Sequence, residues 1–207
     1  ILLGAIEERL NRNDCAKGGV QDPKDHMAGV RIYDVSDPRA PKLVKNVQTC
    51  KGSHTHTVIP HPTDKGIIYI YVSGSQAARD SNDLAGCKNG TDAADTTNSM
   101  FRLDVIKVPL AHPEKAEVVT GARIFTGLEP AALSAARAAG GRGGRGGRGG
   151  RGAAGDSTAP APPPPAPTGP RNCHDVTSYP AMHLLAGACG SYGLLVDDLQ
   201  VYRSIAA

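Results

Sequence analysis

The chain has 207 residues, a formal net charge of +3, 25 Gly, 16 Pro, no Trp and two Phe. That length holds one domain or two small ones with a buried core, and the Gly and Pro content points to turns, long loops and some disorder. Four Arg of one Gly-rich tract outweigh the net charge. The remainder therefore has no general affinity for nucleic acid or acidic membranes, and no stretch reaches the ~18 apolar residues of a membrane span.

In chain order, Ile1 to Ile6 is an apolar strand with neither initiator Met nor basic n-region. It reads as the edge of a longer chain, not as a signal peptide. A polar insertion over roughly 7–28 carries Cys15. The segment GVRIYDVSDPRAPKLV (29–44) reads as a strand ending in Asp34, a Pro-containing turn and a second strand. The Pro rings cannot continue a ladder, and an Asp carboxylate accepts from turn amides, so Asp34, Pro38 and Asp104 are expected to be turn-forming residues. Cys50 follows, then two apolar runs, 53–59 and 66–72, that form one predicted hairpin. A second polar insertion, 75–98, carries Cys87.

The strand–turn–strand pattern returns at 101–119 and opens again at 192–197. A hairpin like that of 53–72 returns at 173–188. Repetition of this kind identifies a structural unit before any single element is assigned. Four antiparallel strands cannot bury both faces alone and need a neighbouring sheet on each side. Radial stacking of such sheets gives a propeller. The fold class expected is all-β, a partial β-propeller of about two and a half four-stranded blades. Residues 1–130 and 172–207 belong to the blades. Residues 131–171 are a disordered low-complexity insertion of Gly, Arg and Pro.

The segment 29–44, together with NCHDVTSYPAMHLLAGAC (172–189) and YGLLVDD (192–198), resembles the LVIVD repeat. The resemblance covers most of 29–126 and 172–200. It implies a β-propeller of exported or cell-surface bacterial and archaeal proteins, mostly of unassigned function. The second copy departs from the pattern, with Ile106 to Pro109 in place of Ser-Asp-Pro, and the third lacks Pro after Asp198.

In an up-and-down blade, the loops after the second and fourth strands emerge on one face. All five cysteines fall there, with no C-x-x-C pair or zinc spacing. Cys173 and Cys189 flank a hairpin symmetric about Ala181 and are the first disulfide candidates, to be joined if their Cα atoms lie near ~5.5 Å. Cys50 with Cys87 is the second, and buried free thiols are the alternative. Disulfides would fit an extracellular, periplasmic or surface location.

His54 and His174 open equivalent inner strands, and His56 points to the same side as His54. The three imidazoles are candidate ligands for a divalent transition metal at the channel mouth. Asp175 could be a further ligand or the acceptor that fixes a His tautomer. The alternative is that these His pack beside Thr and cap strand ends. His61, His112 and His183 are placed at the opposite face, without a role.

The expected function is non-catalytic: a binding scaffold that recognises a protein or surface polymer through its loop-rich face. A metal-dependent enzyme using the His cluster is the alternative, by fold-level analogy with selenium-binding-type propellers. Arg142, Arg145, Arg148 and Arg151 resemble an RGG tract without interleaved aromatics. At most this supports weak, salt-sensitive polyanion contact, and the simpler role is a flexible spacer. Any retention of the protein on heparin at low salt should vanish when residues 140–152 are deleted.

Overall fold

The computed structural model describes residues 1–8, 11–90, 95–100, 102–123, 173–189 and 192–197. The low-complexity segment 131–171, with Arg142, Arg145, Arg148 and Arg151, and the continuation of the third copy beyond Asp197 lie outside the described residues. What is described is all-β and antiparallel. Helical structure is confined, among these residues, to short 3-10 turns at Pro23–Asp25, Pro113–Lys115 and Pro180–Met182.

Strands β1 (Leu2–Ile6), β2 (Gly29–Asp34) and β3 (Lys42–Gln48) make one sheet in sequential order. Strands β4 (Thr55–Pro60), β5 (Ile67–Ser73), β6 (Arg102–Pro109) and β7 (Glu117–Arg123) make a second, four-stranded one, also in order. Strands β8 (Asp175–Tyr179), β9 (Leu184–Cys189) and β10 (Tyr192–Asp197) make the third.

The apolar run of β5 explains how the sheets are arranged. Side chains alternate between the two faces of a strand, so an uninterrupted apolar run requires a partner on both. Tyr69 and Tyr71, with Ile59, Leu103 and Val105, pack against Val176 and Leu185 of the third sheet. Ile70 and Val72, with Ile106 and Val108, pack against Val30, Ile32 and Val47 of the first. The four-stranded sheet is the middle layer of three. Its first strand also lies along β8, where the Thr55 hydroxyl donates to the His174 carbonyl at 2.9 Å and Thr57 donates to that of Val176.

Two hairpins share an irregularity. The register shifts between Ile32 and Tyr33 in β2–β3, and between Val105 and Ile106 in β6–β7. Aligned on that shift, Lys107, paired with Glu117, stands where Asp34 pairs with Lys42. Asp34 behaves as a turn residue, accepting from the Ser36 amide at 2.9 Å and the Ser36 hydroxyl at 2.6 Å, which holds its carboxyl below the usual range. Asp104 does not. The expectation for it is corrected: it lies inside β6, buried, opposite Val72 and Gly121.

Because Ile70 is fully buried between the first and second sheets, Ile70→Ala should cost about 2–5 kcal/mol. Val58→Ala, at a 44 % exposed position, should stay within about 0.5 kcal/mol. Urea denaturation followed by circular dichroism measures both.

Candidate functional site: the loop face and its histidine pair

The connections after β1, β3 and β5 gather at one end of the sheets. The Ser53 amide donates to the Ile6 carbonyl at 2.9 Å, and the His54 amide to that of Ser73 at 2.8 Å. In the first insertion, the Asn13 carbonyl accepts from Asn46 of β3 at 2.7 Å. His26 of that insertion faces Asp83 of the second at 3.8 Å. All five cysteines sit at this end. Cys50 joins Cys87 with their Cα atoms 5.4 Å apart, tying the β3–β4 connection to the long β5–β6 insertion. Cys173 joins Cys189 at the start of β8 and the end of β9, with Cα atoms 3.7 Å apart. Its hairpin runs in register from Asp175 opposite Ala188 to Tyr179 opposite Leu184, so the symmetry point falls between Ala181 and Met182 instead of on Ala181. Cys15 is free and exposed.

Beneath the Cys50–Cys87 bridge lies a set of buried charges. Asp104 accepts from the Cys50 amide at 2.9 Å and pairs with Arg102 at 3.1 Å. Arg79, 1 % exposed, donates to Gln48 and to Asp83, the latter at 2.6 Å. The Lys51 ammonium donates to the Met100 carbonyl at 3.2 Å. A cavity of about 330 Å³ opens beside this set, lined by Thr49, Cys50, Leu84, Cys87, Arg102 and Asp104. Burial pushes Lys51 down to about 8; Asp104 opposes that shift and Arg102 adds to it.

One residue from each sheet meets at the same end. Glu7 follows β1, His54 precedes β4 and His174 precedes β8. Glu7 Oε2 accepts from His54 Nδ1 at 2.9 Å, while its other oxygen accepts from Ser75. His54 Nε2 and His174 Nε2 are 3.0 Å apart, with the rings edge to face and 4.5 Å between centroids. Gly52 makes room for this. A Cβ there would lie 2.4 Å from the Glu7 carbonyl oxygen, and its φ of +72° suits glycine.

The structure brings together two of the three imidazoles named from sequence. His56 is turned to Ser53, with Nδ1 at 3.3 Å from the hydroxyl, and burial lowers its pKa. Residues two apart on a strand share a side but stand ~6.6 Å apart, so only His54 reaches His174. Asp175 is not the orienting acceptor: its Oδ1 takes the Val176 amide at 2.8 Å. That role falls to Glu7, which sequence reasoning missed. His61 and His112 are engaged in local turns, with the Asp64 amide at 2.9 Å and Glu114 at 3.1 Å respectively. No group of three or more His, Cys, Asp or Glu is placed to hold a metal among the described residues.

Two disulfides point to a non-reducing compartment. No helix among the described residues is long and apolar enough to cross a membrane. A scan against protein-family models and searches of curated proteins and of solved structures find no match to this chain, so function is read from its own geometry.

The Lys51 ammonium carries a burial cost that depends on pH. Below pH 8 both folded and unfolded chains hold the proton and the cost is felt in full. Between pH 8 and the usual value of 10.5, the folded chain releases its proton first, so stability rises with pH. Relative to Lys51→Met, the parent chain should gain stability over that window, by at most about 1.4 kcal/mol per pH unit. Urea midpoints at pH 7.5 and 9.5, with Cys15 alkylated, measure this; parallel curves would refute it.

Proposed function

We infer that the chain is a portion of an LVIVD-type β-propeller from an exported or cell-surface protein, and that it works as a binding scaffold through its loop-rich face. The radial reading is supported by the stacking of three sheets face to face, with the middle one buried on both sides. It is supported also by β4 and β8 lying side by side and by the meeting of Glu7, His54 and His174 at one point. The outer face of the first sheet carries a cross-strand row, Leu2, Tyr33 and Leu43, in which both leucines are exposed. An apolar row of that kind suits a further sheet laid against it.

The observation that carries the binding role is the state of the β5–β6 insertion. A long polar loop is expected to be mobile. Here it is bridged to the β3–β4 connection by Cys50–Cys87 and pinned by the fully buried Arg79. The described part of the insertion, 75–90 and 95–98, is thereby a fixed polar surface on a rigid platform, and pre-ordering of this kind reduces the entropy lost on binding. A surface polymer or an envelope protein is the partner this face is suited to.

Co-sedimentation with isolated cell envelopes tests the reading. The oxidised chain should pellet with envelopes, and the double variant Cys50→Ser/Cys87→Ser should lose at least ten-fold in retention while keeping its far-UV spectrum. A chain lacking 140–152 should pellet as the parent does. Absence of saturable retention of the oxidised chain would overturn the proposal.

A further inference from the structure

The geometry points to a binding site for a divalent transition metal at the His54–His174 pair, with Glu7 as the positioning carboxylate behind it. This goes beyond the scaffold reading and does not depend on it. Two nitrogens bound to one metal at ~2.0–2.1 Å with cis angles stand about 2.8–3.4 Å apart. The two Nε2 atoms are separated by 3.0 Å. They come from segments 120 residues apart, delivered by different sheets.

The second observation is independent of that distance. A metal-bound imidazole characteristically donates its other ring N–H to a carboxylate, which fixes tautomer and orientation. Glu7 Oε2 stands 2.9 Å from His54 Nδ1. Accepting the Nδ1 proton leaves the His54 Nε2 lone pair directed outward, towards His174. Glu7 is itself held, by Ser75 on its second oxygen and by Gly52 packed on its backbone. His174 is held through its carbonyl by Thr55. The His54 ring and the His174 backbone are therefore held before any ion arrives.

In the metal-free pair one Nε2 proton lies between the two nitrogens, since a bond between them needs one donor and one acceptor. When the metal enters, that proton moves from His174 Nε2 to its Nδ1, and both Nε2 lone pairs face the ion. Two neutral imidazoles are borderline donors that suit Zn, Ni and Cu, with Cu(II) bound most tightly in the Irving–Williams order. No further His, Cys, Asp or Glu completes a larger group among the described residues. His174 is exposed, so water occupies the remaining positions and can be exchanged for an incoming ligand.

The test is titration of the full, oxidised chain, Cys15 alkylated, with CuCl2 and separately with ZnCl2 in a non-chelating buffer. One ion should bind per chain. His54→Gln and His174→Gln should each weaken binding at least ten-fold, and Glu7→Gln by about 10–100-fold at unchanged stoichiometry. His56→Gln and His61→Gln should bind as the parent does. The Cu(II) electron paramagnetic resonance signal should show coupling to two nitrogens, falling to one in His174→Gln. Should a variant fail to fold, selective broadening of the His54 and His174 ring resonances by Cu(II) in the parent chain gives the same information. Binding that is unaffected by His54→Gln and His174→Gln, or broadening centred on other residues, would overturn the site. Envelope retention is measured without metal, so the two proposals fail separately.

Discussion

The whole arrangement depends on a middle sheet that is apolar on both faces. Ile68, Ile70 and Val72 face the first sheet and Ile67, Tyr69 and Tyr71 the third. Full burial of one such side chain stabilises by about 1.5–3 kcal/mol. Exposing either face would forfeit several of these terms together, so the sheet is stable only as a layer between two others. That constraint sets the direction in which every connection emerges. With antiparallel order in all three sheets, the β3–β4 and β5–β6 connections must leave at the same end, and the Cys50–Cys87 bridge is the covalent record of it.

The charges beneath that bridge follow from the same packing. Polar groups removed from water are tolerated when paired, and removing one partner of a buried pair costs far more than the pair contributes. Asp104 is paired with Arg102 and accepts a backbone amide from the neighbouring connection. Arg79 is paired with Asp83 inside its own loop and reaches Gln48 at the end of β3. These contacts are directional, unlike the apolar core, and they fix where the insertion lies over the sheet ends. The disulfide, closing 37 residues of separation, adds a constraint of about 3–4 kcal/mol in a chain-entropy account.

Much of this was legible in the sequence, and the misses have physical causes. Strand positions follow from short apolar runs bounded by Pro- and Asp-containing turns, so pairings between adjacent strands could be read directly. Topology put all five cysteines at one end, and hairpin symmetry put Cys173 beside Cys189 ahead of Cys50 with Cys87; both pairs are joined. Asp104 was misread because an Asp beside an apolar run looks like the Asp34 turn. Only the bulge, invisible in composition, shows that Lys107 is the equivalent of Asp34. Glu7 was missed because its partner lies 47 residues away and belongs to another sheet. No local pattern encodes that contact. His56 was misplaced by a correct parity argument that ignored distance along the strand.

The stretch 49–54 links the two features of the loop face. Cys50 is bridged to the insertion, the Cys50 amide is bonded to Asp104, Gly52 rests on Glu7, and His54 stands between Glu7 and His174. A six-residue connection held at both ends by strands, and in between by a covalent bond and a buried carboxylate, has little conformational freedom left to lose. The insertion surface and the imidazole pair are therefore both set by one rigid segment. Ligands act by shifting populations only where alternative states exist. A segment with a single favoured conformation instead favours binding without rearrangement, and the same packing that buries the middle sheet maintains it.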